Sequence, residues 1–390
     1  MGRRGEAWYY KMMKVIVGMS GGVDSSVAAY LLKKEGYEVE GVSFVLEERR
    51  IQSEAPVSAC CSLESLLDAK KTSDVLGIKH TMVSLRSEFA DLVIGPFIEA
   101  YRRGLTPNPC ILCNEHIKFT YLLKIADEKG ADYIATGHYA RIKHSSEFGV
   151  RSSEFGVRSS EFGVRSSELK DRGNLLMKGV DPKKDQSYVL YVLRREALDR
   201  LLLPLGTMRK EKVRSIAQEL GLPSALRPES QEICFVGDGS YGAFLDDMAD
   251  SESGPIIEIE TGRVLGTHSG IHRYTIGQRK GLGIATGRPL FVVRIDPASK
   301  AVYVGQRELA LKKEVAVDNI NWLVETEVSE LRATVKIRSM MQDEPASLRI
   351  ISKSSVHVTF DDPQWAPAPG QSAVFYDSDV VLGGGVISAA

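Results

Sequence analysis

The run Val15-Ile16-Val17-Gly18-Met19-Ser20-Gly21-Gly22-Val23-Asp24-Ser25-Ser26 passes from a buried-strand pattern, through a glycine pair, into an amphipathic helix. These residue types in this order suit the binding of phosphate. Gly21 and Gly22 let the backbone come close to an anion, and successive N–H groups form a concave nest for it. The helix that follows points the positive end of its dipole at the same place. Ser20, Ser25 and Ser26 add hydroxyl donors. Asp24 adds a carboxylate suited to Mg2+ or to capping the helix. The loop has no lysine, so it is not the G-x-x-x-x-G-K-[ST] nucleotide loop.

Thiols are the second chemical signal. Thr106-Pro107-Asn108-Pro109-Cys110-Ile111-Leu112-Cys113-Asn114 is stiffened by two prolines and presents two thiols just before a helix, whose N-terminus lowers a thiol pKa. There is no second C-x-x-C, and the seven His make no zinc-finger spacing, so a plain zinc site is not expected. Cys234, between Ile233 and Phe235, reads by itself as a buried small residue. Cys60 and Cys61 are adjacent, which suits no well-shaped disulfide, and they read as loop thiols. Five Cys without a secretory h-region argue against a disulfide framework and point to a reducing cytoplasm.

To bring these groups together the chain must alternate strands and helices, and its first half does. Strands are predicted at Lys14–Gly18, Val39–Leu46, Thr81–Leu85 and Tyr133–Thr136. Helices are predicted from Val23 to Lys34 and over Leu66–Leu76, Glu88–Tyr101 and Ile117–Lys129. The pattern predicts an α/β fold, a parallel sheet with helices on both faces. Ligands in such sheets lie beyond the carboxyl ends of the strands, where Gly18–Ser25, Phe44 and Thr136-Gly137-His138 are expected to converge.

Ser-Ser-Glu-Phe-Gly-Val-Arg then occurs three times over 145–165, with a decayed fourth copy to Arg172. Identical copies carrying Gly suit a mobile hairpin-tip insertion more than a coiled coil. Thr207–Leu220 reads as a helix, stopped by Gly221-Leu222-Pro223. From about residue 255 the runs Pro255–Ile259, Leu290–Ile295, Ala301–Val304, Arg332–Arg338, Ala346–Ile351, Val356–Phe360 and Ser372–Tyr376 suggest a small antiparallel C-terminal barrel. The expected domains are 13–206 with the insert 145–172, a small central domain at 207–286, and a barrel at 287–390. Met12 or Met13 is the expected start, immediately before the first strand.

The 390 residues carry a formal net charge of −1, which provides no bulk electrostatic case for nucleic acid. Any RNA surface must be a local patch, and Arg209-Lys210-Glu211-Lys212 and Arg279-Lys280 are the basic runs to supply it. No apolar run approaches the ~18 residues of a membrane span.

Together, the loop Gly18–Ser25, T-P-N-P-C-x-x-C-N with Ile117-Lys118-Phe119, Thr136-Gly137-His138-Tyr139-Ala140-Arg141, Lys184-Asp185-Gln186-Ser187-Tyr188, Ile233-Cys234-Phe235 and Tyr274-Thr275-Ile276-Gly277-Gln278-Arg279-Lys280-Gly281-Leu282 resemble the bacterial tRNA-specific 2-thiouridylases. These belong to the PP-loop ATP pyrophosphatases, with an adenine nucleotide alpha hydrolase-like fold. The resemblance implies that ATP, with Mg2+, adenylates O2 of the wobble uridine (position 34) of tRNA. A persulfide sulfur then attacks C2. It further implies that Cys234 bears the persulfide, that Cys113 is the partner nucleophile, and that the two form a transient disulfide. It assigns Gly18, Met19, Ser20, Gly21, Gly22, Val23, Asp24, Ser25, Phe44 and Gly137 to ATP. Asn108, Pro109 and Cys110 would face the target base, and His138, Lys184, Asp185, Gln186, Arg338 and Gln371 would touch tRNA. A persulfide donor, either a cysteine desulfurase or a sulfur-relay protein, is the implied partner. A monomer in the cytoplasm, with no membrane attachment, is expected.

Two positions depart from the family pattern. Many members carry Asp where this chain has Cys110, so an acid–base role does not transfer. Cys110, Cys113 and Cys234 offer three thiolates, and an iron–sulfur cluster delivering sulfide is the alternative to the persulfide. Ser339 stands where members often place an aromatic residue after the arginine. Two other classes remain open: a PP-loop ligase or amidotransferase acting on a small molecule, and a non-catalytic RNA-binding or sulfur-carrier protein.

Overall fold

The computed structural model describes residues 12–46, 63–144, 173–226, 233–236, 244–245, 252–326 and 328–389. Cys60, Cys61, the heptad copies and Glu229–Glu232 lie outside them. The chain runs through β1 (Lys14–Gly18), α1 (Val23–Lys34), β2 (Glu38–Val45), α2 (Leu63–Leu76) and β3 (Lys79–Ser84), then helical stretches at 86–102 and 109–128. β4 (Tyr133–Ala135), a hairpin of β5 (Ala140–Lys143) and β6 (Leu175–Lys178), and β7 (Leu201–Leu202) follow. Five of these strands form a parallel sheet in the order β3-β2-β1-β4-β7. Val15, Ile16 and Val17 are all fully buried, as a strand covered on both faces requires. Ile16 packs with Leu122 and Ile134 on one face, while Val15 and Val17 pack with Val27, Ala28 and Leu32 of α1 on the other.

The strand order reverses between β1 and β4, and this switch point opens a crevice at their carboxyl ends. α1 begins there because Gly22 takes an extended conformation before Val23. Asp24 in its first turn and Lys33 and Lys34 in its last complement the helix dipole. Both long helical stretches contain wider π-helical turns, at Ala90–Ile94 and at Cys113–Phe119. The second starts earlier than the predicted Ile117, at Pro109, because Asn108 caps it and proline suits a first helical position.

The β-rich half separates into two sheets. β8 (Gly254–Glu258), β9 (Val264–His268), β10 (Phe291–Asp296) and β11 (Ala301–Gly305) pair in the order β10-β11-β8-β9. The runs Pro255–Ile259, Leu290–Ile295 and Ala301–Val304, read as part of the C-terminal barrel, therefore belong to this sheet. Alternation marks them as strands, but their sheet is decided by packing of Val292, Val302 and Val304 on Ile256, Tyr274 and Leu282. β12 (Leu311–Trp322), β13 (Glu330–Lys336), β14 (Glu344–Ser352), β15 (Ser355–Trp365), β16 (Ser372–Asp377) and β17 (Val380–Ile387) form the barrel, closed where β12 pairs with both β15 and β17. The β5–β6 hairpin reaches this barrel from the α/β domain, with Met177 opposite Val380. Its own pairing extends to Lys143↔Leu175, so the segment holding the heptad copies leaves and returns at one hairpin.

Candidate active site

The phosphate loop is shaped by its own hydroxyls. Ser25 Oγ accepts from the Ser20 N–H (3.2 Å) and donates to the Gly22 carbonyl (3.1 Å). Ser26 Oγ also donates to Gly22 (2.9 Å), and the buried Ser224 joins it at 3.2 Å. Gly21 is required twice over. Its φ is +77°, and a Cβ there would lie 1.9 Å from the Ser65 carbonyl oxygen of α2.

Asp24 does not cap α1: Gly22, which has no side chain to make a capping bond, holds the cap position. Being the second residue of the helix, Asp24 points elsewhere. Its Oδ1 accepts from the Tyr139 hydroxyl at 2.6 Å, and Lys210 Nζ lies 2.7 Å from each carboxylate oxygen. Lys210 therefore does not belong to a solvated basic patch. It is 6% exposed, although Arg209 and Lys212 on either side are exposed. The reason is helical phase: the helix Lys210–Glu219 buries Lys210, Val213 and Ala217 on one face.

Across the crevice, Gly137 meets the first turn of α1 directly. A Cβ at this position would lie 2.7 Å from both the Asp24 carbonyl carbon and the Ser25 nitrogen. Of the residues expected at ATP, Gly18, Met19, Ser20, Asp24, Ser25, Phe44 and Gly137 line one cavity of about 210 Å³. Gly21, Gly22 and Val23 shape the loop without lining it. His138 and Gln186, expected at tRNA, line the cavity as well. His138 shares a hydrogen bond between Nδ1 and Thr136 Oγ1 (2.8 Å) and stacks on Phe119. Burial, helped by the nearby Lys118 charge, pushes its pKa down to about 3, so it is a neutral imidazole at ordinary pH. Thr136 lines it too, as its place at a strand end predicted, whereas Lys118 and Leu122 also line the cavity and were missed by sequence reasoning. Helical spacing within Lys118–Leu122 placed them on one face, but nothing local said which cavity that face would meet.

The thiols occupy the neighbouring cluster. Asn108 Oδ1 accepts from the Cys110 N–H (3.1 Å), so its side chain is engaged as a helix cap, while Pro109 is buried and Cys110 exposed. Cys113 is 5% exposed and opens the π-helical turn. It packs in one apolar cluster with Phe89, Phe97 and Phe235, and half-buried Cys234 packs against the same cluster. Phe235 anchors the second thiol there through edge-on contacts with Phe89 (5.7 Å) and Phe97 (5.3 Å). Cys234 is thus not the fully buried residue that its neighbours in sequence suggested. Among the described residues no group of three or more His, Cys, Asp or Glu is arranged to hold a metal ion. Cys110 is exposed and lies outside the apolar cluster that gathers Cys113 and Cys234.

Most of the remaining residues expected at tRNA make hydrogen bonds within the fold. Asp185 accepts from the Gly179 and Ser187 N–H groups (2.9 and 3.1 Å) and lies 4.0 Å from buried Lys336. Gln186 bonds Tyr139 through both main chain and side chain, and Lys184 beside it is half-buried. Arg338 Nη2 donates to the carbonyls of Ile276 and Ala366 (3.0 and 2.8 Å). Gln371 Nε2 donates to the Thr106 carbonyl (2.8 Å), fastening the proline loop to the barrel. Asn114 Nδ2 donates to Val189 (3.0 Å), tying the helix of Cys113 to the segment after Gln186.

The chain as a whole resembles known proteins. Residues 13–238 match the tRNA methyl transferase HUP domain, 242–306 the tRNA methyl transferase PRC-barrel domain, and 312–387 the aminomethyltransferase beta-barrel domain. The chain is 45% identical over 381 residues to tRNA-specific 2-thiouridylase MnmA 2 of Caldanaerobacter subterraneus subsp. tengcongensis, covering 97% of this chain and 98% of that one. The chain belongs to the tRNA-specific 2-thiouridylase family. The 2-thiouridylase MnmA of Clostridioides difficile is 41% identical over 96% of this chain and 98% of its own. Among solved structures, a 4-thiouridine synthetase–RNA complex with bound ATP aligns at a TM-score of 0.32 and 18% identity, over 60% of this chain and 49% of that one, too distant to carry weight. No helix of the described residues is long and apolar enough to cross a membrane.

Proposed function

We propose that this 2-thiouridylase uses ATP to replace O2 of the tRNA wobble uridine by sulfur. The observation that carries the reading is the helical stretch 109–128. It places Cys113 in the aromatic cluster beside Cys234, and Lys118 and Leu122 in the wall of the cavity behind the phosphate loop. One element thus joins a nucleotide pocket to a pair of thiols. A small-molecule ligase or amidotransferase has no use for that pair.

In this reading uracil O2 attacks the α-phosphorus of ATP, and pyrophosphate leaves. The terminal sulfur of a Cys234 persulfide, loaded by an external persulfide donor, attacks C2, and AMP leaves with the oxygen. The Cys113 thiolate then attacks Cys234 Sγ. The S–S bond breaks towards the uridine sulfur, leaving 2-thiouridine and a Cys113–Cys234 disulfide for a cellular thiol to reduce. The uridine must be splayed out of its loop to enter, as for other base-modifying enzymes. An ion brought by the triphosphate fits Asp24, a carboxylate at the cavity wall with its side chain 33% exposed. Mg2+ bound there supplies charge neutralisation on the phosphates. No step of this reading runs through an iron–sulfur cluster. A reducing compartment, the cytoplasm, suits the thiol chemistry, and the protein acts as a monomer.

The test uses Cys113→Ser and Cys234→Ser with unmodified tRNA, ATP and a persulfide donor in metal-free buffer. Both variants are expected to lose 2-thiouridine formation while still releasing pyrophosphate when tRNA is added. Thiolation that survives either substitution refutes the assigned roles. If the wild type shows no tRNA-dependent pyrophosphate release, the adenylation reading fails.

A further inference from the structure

The phosphate loop has two features in tension. It contains no lysine, and it places an aspartate in the wall of the cavity meant for a polyanion. An uncompensated carboxylate there repels a triphosphate. The cation that answers it comes from 186 residues further along the chain. Lys210 Nζ lies 2.7 Å from both Asp24 oxygens, and its side chain is 8% exposed. Its placement is built in. The Lys210 N–H is held by Asp181 Oδ2 at 3.0 Å, and that buried carboxylate also takes the Lys183 N–H at 3.1 Å. The ammonium lies 5.6 Å from the centre of the Tyr139 ring, whose hydroxyl holds the same Asp24.

We propose that Lys210 is a positioning residue for ATP: by pairing with Asp24 it cancels the carboxylate's charge towards the triphosphate and fixes its direction. The inference rests on the ATP-site reading above. Lys210 does not line the cavity, so it acts through Asp24 rather than on the phosphates. The N-terminal dipole of α1 and Lys118 then act on the triphosphate without an opposing anion. Asp24 keeps a lone pair on Oδ2 beyond the lysine bond, so pairing and metal ligation are compatible.

A purely structural role for the pair makes a different prediction. If the pair only braces the fold, losing either partner weakens ATP binding and melting together. If it sets the charge of the cavity, the two substitutions act with opposite sign. The measurement is equilibrium binding of ATP with EDTA and with Mg2+, alongside thermal melting. In EDTA, Lys210→Met is expected to weaken ATP about 30-fold, the lower end for stranding one partner of a buried pair. Asp24→Asn, which leaves Lys210 without its counter-charge, is expected to tighten ATP about 10-fold in EDTA, and Asp24→Asn with Lys210→Met to bind like the wild type within about threefold. Lys210→Arg, which keeps the charge, is expected to retain wild-type binding within about threefold. If Lys210→Met does not fold, Asp24→Asn decides alone, since only the electrostatic account has it tighten. Equal ATP affinity in all variants, or weaker binding by Asp24→Asn in EDTA, overturns the inference. A folded wild type that binds no ATP in either buffer overturns the ATP-site reading itself.

Discussion

Gly137→Ala isolates the contact between β4 and the phosphate loop. Gly137 does not have a positive φ, so alanine meets no backbone penalty, and the effect is purely steric. The new methyl would lie 2.7 Å from the Asp24 carbonyl carbon and the Ser25 nitrogen, about 0.7 Å short of ordinary 3.4 Å contact. Both atoms are backbone in the first turn of α1, so no side chain can swing aside. Either α1 retreats from β4 or the 136–138 turn shifts, and each movement disturbs the cavity that Asp24, Ser25 and Gly137 line together. Overpacking of this kind costs about 1–3 kcal/mol. A displacement approaching 1 Å at a reacting group costs about 100-fold in rate. Two assays read these effects. Urea unfolding is expected to show a loss within that range, and tRNA-dependent pyrophosphate release a drop in kcat/KM for ATP of about 30-fold or more. A variant with wild-type ATP kinetics refutes the argument that this contact sets the site. A variant that loses stability alone refutes the link from packing to catalysis.

The neutral state of His138 has a pH signature. With its pKa near 3 against an ordinary 6.5, the unfolded chain takes up a proton that the folded chain refuses, so stability is full above pH 6.5 and falls as pH drops towards 3. Each pH unit below 6.5 costs about 1.4 kcal/mol, or about 1 after allowing for partial exposure of the ring. His138→Gln should lose about 1–2 kcal/mol less than the wild type between pH 7 and pH 5 in urea unfolding, and parallel losses would place the acid sensitivity elsewhere. Because β5 and β6 pair up to Lys143↔Leu175, replacing residues 145–172 with a four-residue turn should leave melting temperature and thiolation rate unchanged; a fall in tRNA affinity would give the heptad copies a role.

The chemistry was legible in the sequence wherever it is written locally. The loop Gly18–Ser25, the capped and proline-stiffened Asn108–Cys113, and the alternation of strands and helices each depend on neighbours a few residues apart. Backbone conformation, turn geometry and helical phase are local properties. Gly21 needs its positive φ whatever surrounds it. The convergence of Gly18, Phe44 and Gly137 was legible too, because parallel sheets place ligands at one edge.

What only the tertiary structure decided is which distant groups share a space. Lys210 belongs, by composition, to a basic run, yet the phase of its helix and the Asp181 anchor turn it inward onto Asp24. Arg338 and Gln371 are fold ties because backbone carbonyls of other segments meet them, which no local pattern records. The strands Phe291–Asp296 and Ala301–Gly305 were recognisable as strands, but their sheet depends on which apolar faces pack. Cys113 and Cys234 share a cluster because Phe235 wedges between Phe89 and Phe97. Charge compensation, hydrogen bonding and burial act over a few ångströms of space without regard to separation along the chain, so sequence determined the reactive groups and the fold determined their partners.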